Sequence, residues 1–177
     1  MLCGIDEAGR GCIAGPLVVA GVVLKNKIDN IADSKVLSEK KREYLYKIIK
    51  KNADYKIVFC NNDMIDKKGL SYCLADSITT IKEYFKEYEI LMDGNSSFGV
   101  SGIQTMIKAD TKISEVSAAS ILAKVSRDWY MYSISSKFSN YSFKKHKGYG
   151  TALHVKEISE FGYSKIHRKS FIIKSLV

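Results

Sequence analysis

A layered α/β domain is the fold this sequence predicts, and three observations predict it. Short apolar runs alternate along the chain with amphipathic helical patterns. Two of those runs end in a carboxylate with glycine close behind, which is how an α/β sheet offers ligand-binding groups at its strand ends. The chain has 177 residues, with 46% hydrophobic and 27% charged, which suits one soluble domain with a real core. A catalytic core over about residues 1–137 and a basic helical segment over about 138–177 are expected within residues 1–177.

The first element carries the most chemistry. Met1 to Ile5 is a short apolar run that reads as a buried strand, and it opens Gly4-Ile5-Asp6-Glu7-Ala8-Gly9-Arg10-Gly11, which continues to Gly15-Pro16. Successive side chains on a strand point to opposite faces, so Asp6 and Glu7 cannot both face one ion from regular strand geometry. The chain is therefore expected to leave the strand at about Glu7. Gly9 and Gly11 permit such an exit, since they tolerate positive φ and carry no Cβ to block a ligand. Arg10 between them is a natural phosphate contact.

Pro16-Leu17 to Leu24 is a continuous valine-rich run, the mark of a strand covered on both faces, and it can form a hairpin with the first. Asp33-Ser34-Lys35 follows, with Lys35 placed to contact phosphate. Ser38 then caps a helix whose apolar face is Leu45, Ile48 and Ile49 with Tyr44, reaching about Lys51. Tyr55 to Cys60 is strand-like, and Asn61 to Gly69 is polar and breaks the pattern. Leu70, Cys73, Leu74, Ile78, Ile81 and Phe85 repeat at helical spacing. Glu89 to Met92 is a short buried strand ending in Asp93-Gly94-Asn95. Ile103 to Ala109 is an apolar-leaning run that closes on Asp110.

A long helix follows, with Ala118, Ala119, Leu122, Val125, Trp129 and Tyr132 on one face and small residues at Ser117 to Ser120 for close packing. Asp128, next to Arg127, reads as helix-surface charge. From Phe138 onward aromatic and basic residues interleave: Tyr141, Phe143, Lys144, Lys145, His146, Lys147 and Tyr149. A short helix is expected over Ala152 to Phe161, then Ile166-His167-Arg168-Lys169. His146, His154 and His167 lack paired spacing and read as contacts to substrate or protein rather than as metal ligands.

Charge narrows the partner. The net charge is +9, and the last 41 residues alone carry nine Lys and Arg against Glu157 and Glu160. A basic segment beside an acidic cluster points to a polyanion, most simply nucleic acid, although a lysine-rich solvated surface would have the same count. Lysines neutralise phosphates and tyrosine rings pack on sugars or bases, so Lys147, Tyr149, His167 and Arg168 join the candidate binding residues. The longest apolar run, Leu17 to Leu24, is too short to span a membrane. No signal-peptide pattern is seen, so a cytoplasmic protein is expected. Cys3, Cys12, Cys60 and Cys73 have no metal-ligand spacing and read as reduced, mostly buried thiols.

Asp6, Glu7, Asp93 and Asp110 form the candidate catalytic cluster, three of them at strand ends. Four carboxylates brought together repel strongly unless cations bind between them. Oxygen-only ligands suit Mg2+ or Mn2+. Two such ions about 4 Å apart can activate a water and stabilise a leaving oxygen in phosphodiester hydrolysis.

The same residues carry a family resemblance. The octapeptide with Ala14-Gly15-Pro16 resembles the signature of bacterial ribonuclease HII, the type 2 ribonuclease H. The similarity continues through Asp33-Ser34-Lys35, Met92-Asp93-Gly94, Ile107-Lys108-Ala109-Asp110, Ala118 to Lys124, His146 to Thr151 and His167-Arg168. It implies an RNase H-like fold, a mixed central sheet flanked by helices with a C-terminal helical segment. It also implies metal-dependent endonucleolytic cleavage of RNA in RNA–DNA hybrids, and cleavage 5′ of single ribonucleotides embedded in duplex DNA, leaving 3′-hydroxyl and 5′-phosphate ends. Under this resemblance Asp6, Glu7, Asp93 and Asp110 hold the metals. The backbone of Gly9-Arg10-Gly11 senses the 2′-hydroxyl at the junction, and Tyr149 packs on the sugar there. A monomer is expected.

Cys12 stands where the family usually has proline, which is expected to loosen the loop and expose a thiol near the metals. Ala109 replaces a common glycine, with little effect expected. Two rivals remain open: a different metal-dependent nuclease on the same fold, such as a DNA-junction resolvase, and a non-catalytic hybrid-binding protein. The first would not need Gly9-Arg10-Gly11 and Tyr149 together. Retention of all four carboxylates argues against the second.

Overall fold

The computed structural model describes residues 1–29, 31 and 37–173. Among them, five strands form one mixed sheet in the order β3-β2-β1-β4-β5. Strand β1 (Leu2–Ala8) runs antiparallel to β2 (Leu17–Leu24), and β2 antiparallel to β3 (Ala53–Cys60). On its other side β1 runs parallel to β4 (Glu89–Asp93), which runs parallel to β5 (Gln104–Met106). The expected hairpin is present. The β1–β2 hairpin needs only a short connection, whereas the chain passes through a helix between β2 and β3 and through further helices before β4, as the parallel step from β1 to β4 demands.

Helices α1 (Glu39–Asn52) and α4 (Ser114–Ile134) cover one face of the sheet. Helix α3 (Leu70–Tyr84) covers the other. Valine alternation in β2 feeds both cores: Val18, Ala20 and Val22 face α1 and α4, while Leu17, Val19 and Val23 face α3. Gly4 shows how closely α4 rides on β1, since a Cβ there would lie 2.3 Å from the backbone of Glu115 and Val116. The small residues Ser117, Ala118 and Ala119 keep the rest of that contact tight, and each is fully buried. Ser38 caps α1 by accepting from the Lys41 N–H, as expected, but Tyr44 is 64% exposed and Tyr46 takes its place in the core.

One helix was not anticipated. Residues read as a polar break form α2 (Asn62–Lys68), started by the Asn61 side chain, which accepts from the Met64 N–H at 2.8 Å, and ended at Gly69. Seven residues with only Ile65 and Asn62 buried give too little periodicity to register as a helix. Strand β5 is likewise shorter than the run from Ile103 to Ala109, and Ala109–Thr111 turns instead as a 3₁₀ helix.

The C-terminal segment carries α5 (Phe143–His146) and α6 (Ala152–Phe161). It shares a hydrophobic cluster with Ile13, Ala14 and Met131, so it packs directly on the loop leaving β1. Among the described residues no helix is long and apolar enough to cross a membrane.

Candidate active site

Strand register brings the first carboxylates together. Ile5 pairs with Met92 at the end of the β1–β4 ladder, and both side chains enter the core against α3. The next residue on each strand, Asp6 and Asp93, therefore projects toward α4. Strand β4 ends at Asp93 while β1 continues through Glu7 and Ala8, paired only with β2. The expectation that the chain leaves the strand at Glu7 is thus corrected. Glu7 reaches the same cavity as Asp6 because β4 stops short and leaves the sheet edge beside it open. That cavity, about 440 Å³, is lined by Asp6, Glu7, Gly9, Arg10, Gly11 and Tyr149, with Arg42, Ser120 and Lys124.

Asp6 is buried, Glu7 and Asp93 are partly so, and the three repel one another. Burial, with added repulsion from Glu7 and Asp93, pushes the Asp6 carboxyl up to about 8. The Ser120 hydroxyl opposes that rise, as does the Glu7 N–H, which donates to Asp6 Oδ1 at 2.7 Å. Glu7 is also raised by burial, against the pull of Arg10, whose Nη1 stands 3.7 Å from Glu7 Oε1. Asp93 Oδ1 accepts from the Ala109 N–H at 2.7 Å. Asp110, the next residue, is fully buried and is not part of the cavity lining. Asp6 and Glu7 thus line the cavity, Asp93 lies close enough to repel both without lining it, and Asp110 is buried next to the residue that donates to Asp93.

The loop after β1 is laced to two distant segments. Ile13 and Ala14 N–H groups donate to the Gly148 carbonyl at 2.9 and 3.2 Å, and Gly15 N–H donates to Ile166 O at 2.8 Å. Arg168, 0% exposed, donates from Nε to Gly15 O at 3.0 Å and from Nη1 to Arg10 O at 3.1 Å. Arg10's own guanidinium lies 5.2 Å from the centre of the Phe98 ring. Gly11 has open space where a Cβ would project, so a ligand can approach its backbone. Tyr149 is 38% exposed, with Lys124 Nζ 5.2 Å from its ring centre.

Several expected binding residues turn inward. His167 is 1% exposed, its Nε2 lies 2.9 Å from His154 Nε2, and Ser164 N–H donates to its Nδ1. His154 in turn stacks on His146 at 3.9 Å between ring centres. Desolvation holds His154 and His167 down to about 4 each. His167 and Arg168 thus organise the loop from inside and present no surface to a nucleic acid. Lys147 points back to Tyr132 and the Lys144 carbonyl at 2.6 and 2.7 Å. Lys35 lies outside the described residues.

Cys12, expected to expose a thiol, is fully buried, and burial raises its pKa. Asp128, read as surface charge, is 6% exposed and accepts from Lys124 at 2.7 Å. Its neighbour Arg127 is fully buried and binds main-chain carbonyls. Ser120, Lys124 and Arg42 are cavity residues that sequence reading missed. The signal was there for the first two: Ser120 and Lys124 lie one turn apart on the helix that packs over Asp6.

A hard divalent cation fits this donor set in chemistry, because burial and the mutually repelling carboxylates keep Asp6 raised despite Arg10 beside Glu7, and the acids offer only oxygen ligands. Among the described residues no three acidic, histidine or cysteine side chains stand close enough to close jointly on one ion. The fit is thus one of charge and ligand type, not of a finished cage.

Comparison with known proteins converges on one family. The ribonuclease HII family matches residues 3–174. Ribonuclease HII of Aliarcobacter butzleri is 58% identical over 99% of this chain and 92% of its own length. That of Campylobacter concisus is 53% identical over 98% and 94%. Among solved structures, the RNase HII in the PCNA:RNase HII complex from Archaeoglobus fulgidus superposes with a TM-score of 0.83 at 28% identity, covering 98% of this chain and 96% of that one. Ribonuclease H2 from Pyrococcus horikoshii gives 0.75 at 26% identity, covering 96% and 93%.

Proposed function

The chain belongs to the ribonuclease HII family, metal-dependent endonucleases that degrade RNA in RNA–DNA hybrids, and from that premise we propose how its own residues divide the work. The substrate includes duplex DNA with a single embedded ribonucleotide, cut on that nucleotide's 5′ side to leave 3′-hydroxyl and 5′-phosphate ends. The observation that carries this reading is the single cavity in which Asp6 and Glu7 meet the Gly9–Gly11 loop and Tyr149. A 2′-hydroxyl is what distinguishes RNA from DNA. A glycine backbone open to approach at Gly11 can hydrogen-bond that group, while the half-exposed Tyr149 ring supports the sugar from the other side.

Asp6, Glu7, Asp93 and Asp110 would hold Mg2+ or Mn2+, two ions in the working complex. Bound there, the ions would lower the pKa of a water and stabilise the leaving oxygen. Lys124 and Arg42, on the cavity wall, neutralise phosphate. Arg10, more than half exposed beside Glu7, supplies a further cation to the backbone. Ser120 holds the Asp6 carboxylate in place through its hydroxyl. The chain is proposed to act as a cytoplasmic monomer.

The test is substitution of the acids. Asp6→Asn and Asp93→Asn should abolish cleavage of an RNA–DNA hybrid while leaving its binding intact, measured by anisotropy. A variant that cleaves at the wild-type rate would remove that carboxylate from the site.

A further inference from the structure

Arg127 is a full charge with 0% exposure, on a helix whose neighbouring residues belong to the core. It sits at i+4 and i+8 from Ala123 and Ala119, so it continues the small-residue face of α4. Its Nε donates to Pro16 O at 2.9 Å, Nη2 to Ala14 O at 2.9 Å and Nη1 to Lys147 O at 2.8 Å. One planar group thus ties the loop that follows Gly9-Arg10-Gly11 to the loop that carries Tyr149. Its centre also lies 5.5 Å from the Tyr149 ring.

The glycines around it have one feature in common. A Cβ on Gly9 would fall 2.1 Å from Arg127 Nε, one on Gly148 3.2 Å from Nη2, and one on Gly15 3.4 Å from Nη2. All three have positive φ, at 89°, 82° and 81°. Gly9 therefore leaves room for the guanidinium itself, while a Cβ on Gly148 or Gly15 would meet Ala14 O at 2.3 Å or Met131 Sδ at 2.4 Å before it met Arg127. Lys147 adopts positive φ too, at 50°, in the turn that presents its carbonyl to Nη1.

We propose that Arg127 is a positioning residue for substrate selectivity: its guanidinium sets the separation between the 2′-hydroxyl-reading backbone and Tyr149. This rests on the proposed reading of those two elements. A single embedded ribonucleotide needs both loops to meet one sugar at once, whereas a long hybrid offers many registers and many 2′-hydroxyls. Fixing that separation therefore matters most for the single ribonucleotide. Lysine at the same position keeps the charge but has one donor centre in place of a three-pronged fork.

The experiment compares wild type with Arg127→Lys on two duplexes, one with a single ribonucleotide and one an all-RNA strand on DNA, reading kcat and KM separately. Misplacement by about 1 Å costs about 100-fold in rate. Arg127→Lys should lose about that much kcat on the single ribonucleotide, with KM little changed, and at least about tenfold less on the hybrid. The ratio of the two rates does not depend on how much of the sample is folded, so partial instability leaves the readout intact. Arg127→Gln, which keeps a donor but no charge, should shift the ratio further. An unchanged ratio in both variants would overturn the proposal and reduce Arg127 to a packing role. If wild type itself spares the single ribonucleotide, the substrate reading has failed, and the Arg127 proposal falls with it for a reason visible in that arm alone.

Discussion

Asp6 and Asp93 stand side by side on neighbouring parallel strands, each one residue beyond the Ile5–Met92 pair. The pairing register alone aims both carboxylates toward α4, and burial with mutual repulsion then leaves Asp6 reluctant to ionise. Function and stability are opposed here, since a site assembled for a cation is unfavourable without one. In EDTA, Asp6→Asn should raise the melting temperature, by about 1–2 kcal/mol of added stability. Added Mn2+ should raise the melting temperature of wild type more than that of the variant. Equal metal-induced shifts would detach Asp6 from the cation.

Tyr149→Ala removes a ring that stands between Lys124 and Arg127. A greater loss is expected on a duplex with one ribonucleotide than on a long hybrid, because the hybrid has other sugars and registers to offer. About tenfold or more in kcat/KM should separate the two, by the scale of about 1–3 kcal/mol per stacked contact. Equal loss on both substrates would refute the junction role of Tyr149.

The buried histidines predict acid sensitivity. His154 and His167 are held down to about 4 by desolvation, from an ordinary value of 6.5. Below pH 6.5 the unfolded chain takes up protons that the folded chain refuses, so stability falls as pH drops toward 4. Above pH 6.5 their contribution is complete. Glu157, held below its ordinary value by Ser142 and His146 against the effect of burial, loses its contribution in the same direction as pH falls through the acid range. Thermal melts across pH 4–7 check this, and His167→Asn should flatten the slope. A wild-type melting temperature constant over that range would contradict it.

Helix α2 has a structural duty that can be measured. Asp66 accepts from the Lys169 and Ser170 N–H groups at 2.9 and 3.0 Å, and Asn62 donates to the Lys165 carbonyl at 2.9 Å. Together they hold the segment that presents Arg168 to Arg10 O and Gly15 O. Asp66→Ala should cost about 1–2 kcal/mol in urea unfolding, as loss of charge-assisted hydrogen bonds does. A change within about 0.5 kcal/mol would place the anchor elsewhere.

Much of this molecule was legible in its sequence, and the failures have physical causes. The hairpin of β1 and β2 was readable because valine runs and bounding glycines leave little choice. Helix α2 was not, because seven residues with one buried isoleucine lack a period. The octapeptide announced the cavity, but the way Glu7 enters it depends on β4 ending two residues before β1 does in the shared register. Positive charge misled most. Counting His167 and Arg168 as surface cations ignored that main-chain carbonyls and a neighbouring ring can hold an arginine or a histidine inside the fold. Arg127 could have been suspected, since it falls on the same helical face as Ala119 and Ala123.

The central claim is that this cavity cuts beside a ribonucleotide by reading its 2′-hydroxyl. The most direct measurement uses an end-labelled DNA duplex carrying one ribonucleotide, incubated with Mg2+, Mn2+ or EDTA, with the product mapped to the nucleotide. The account predicts one metal-dependent cut on the ribonucleotide's 5′ side, leaving a 3′-hydroxyl, and no cut in the all-DNA duplex. Cleavage of long hybrids with the single-ribonucleotide duplex left intact would contradict it, and the roles given to the Gly9–Gly11 loop and Tyr149 would be lost.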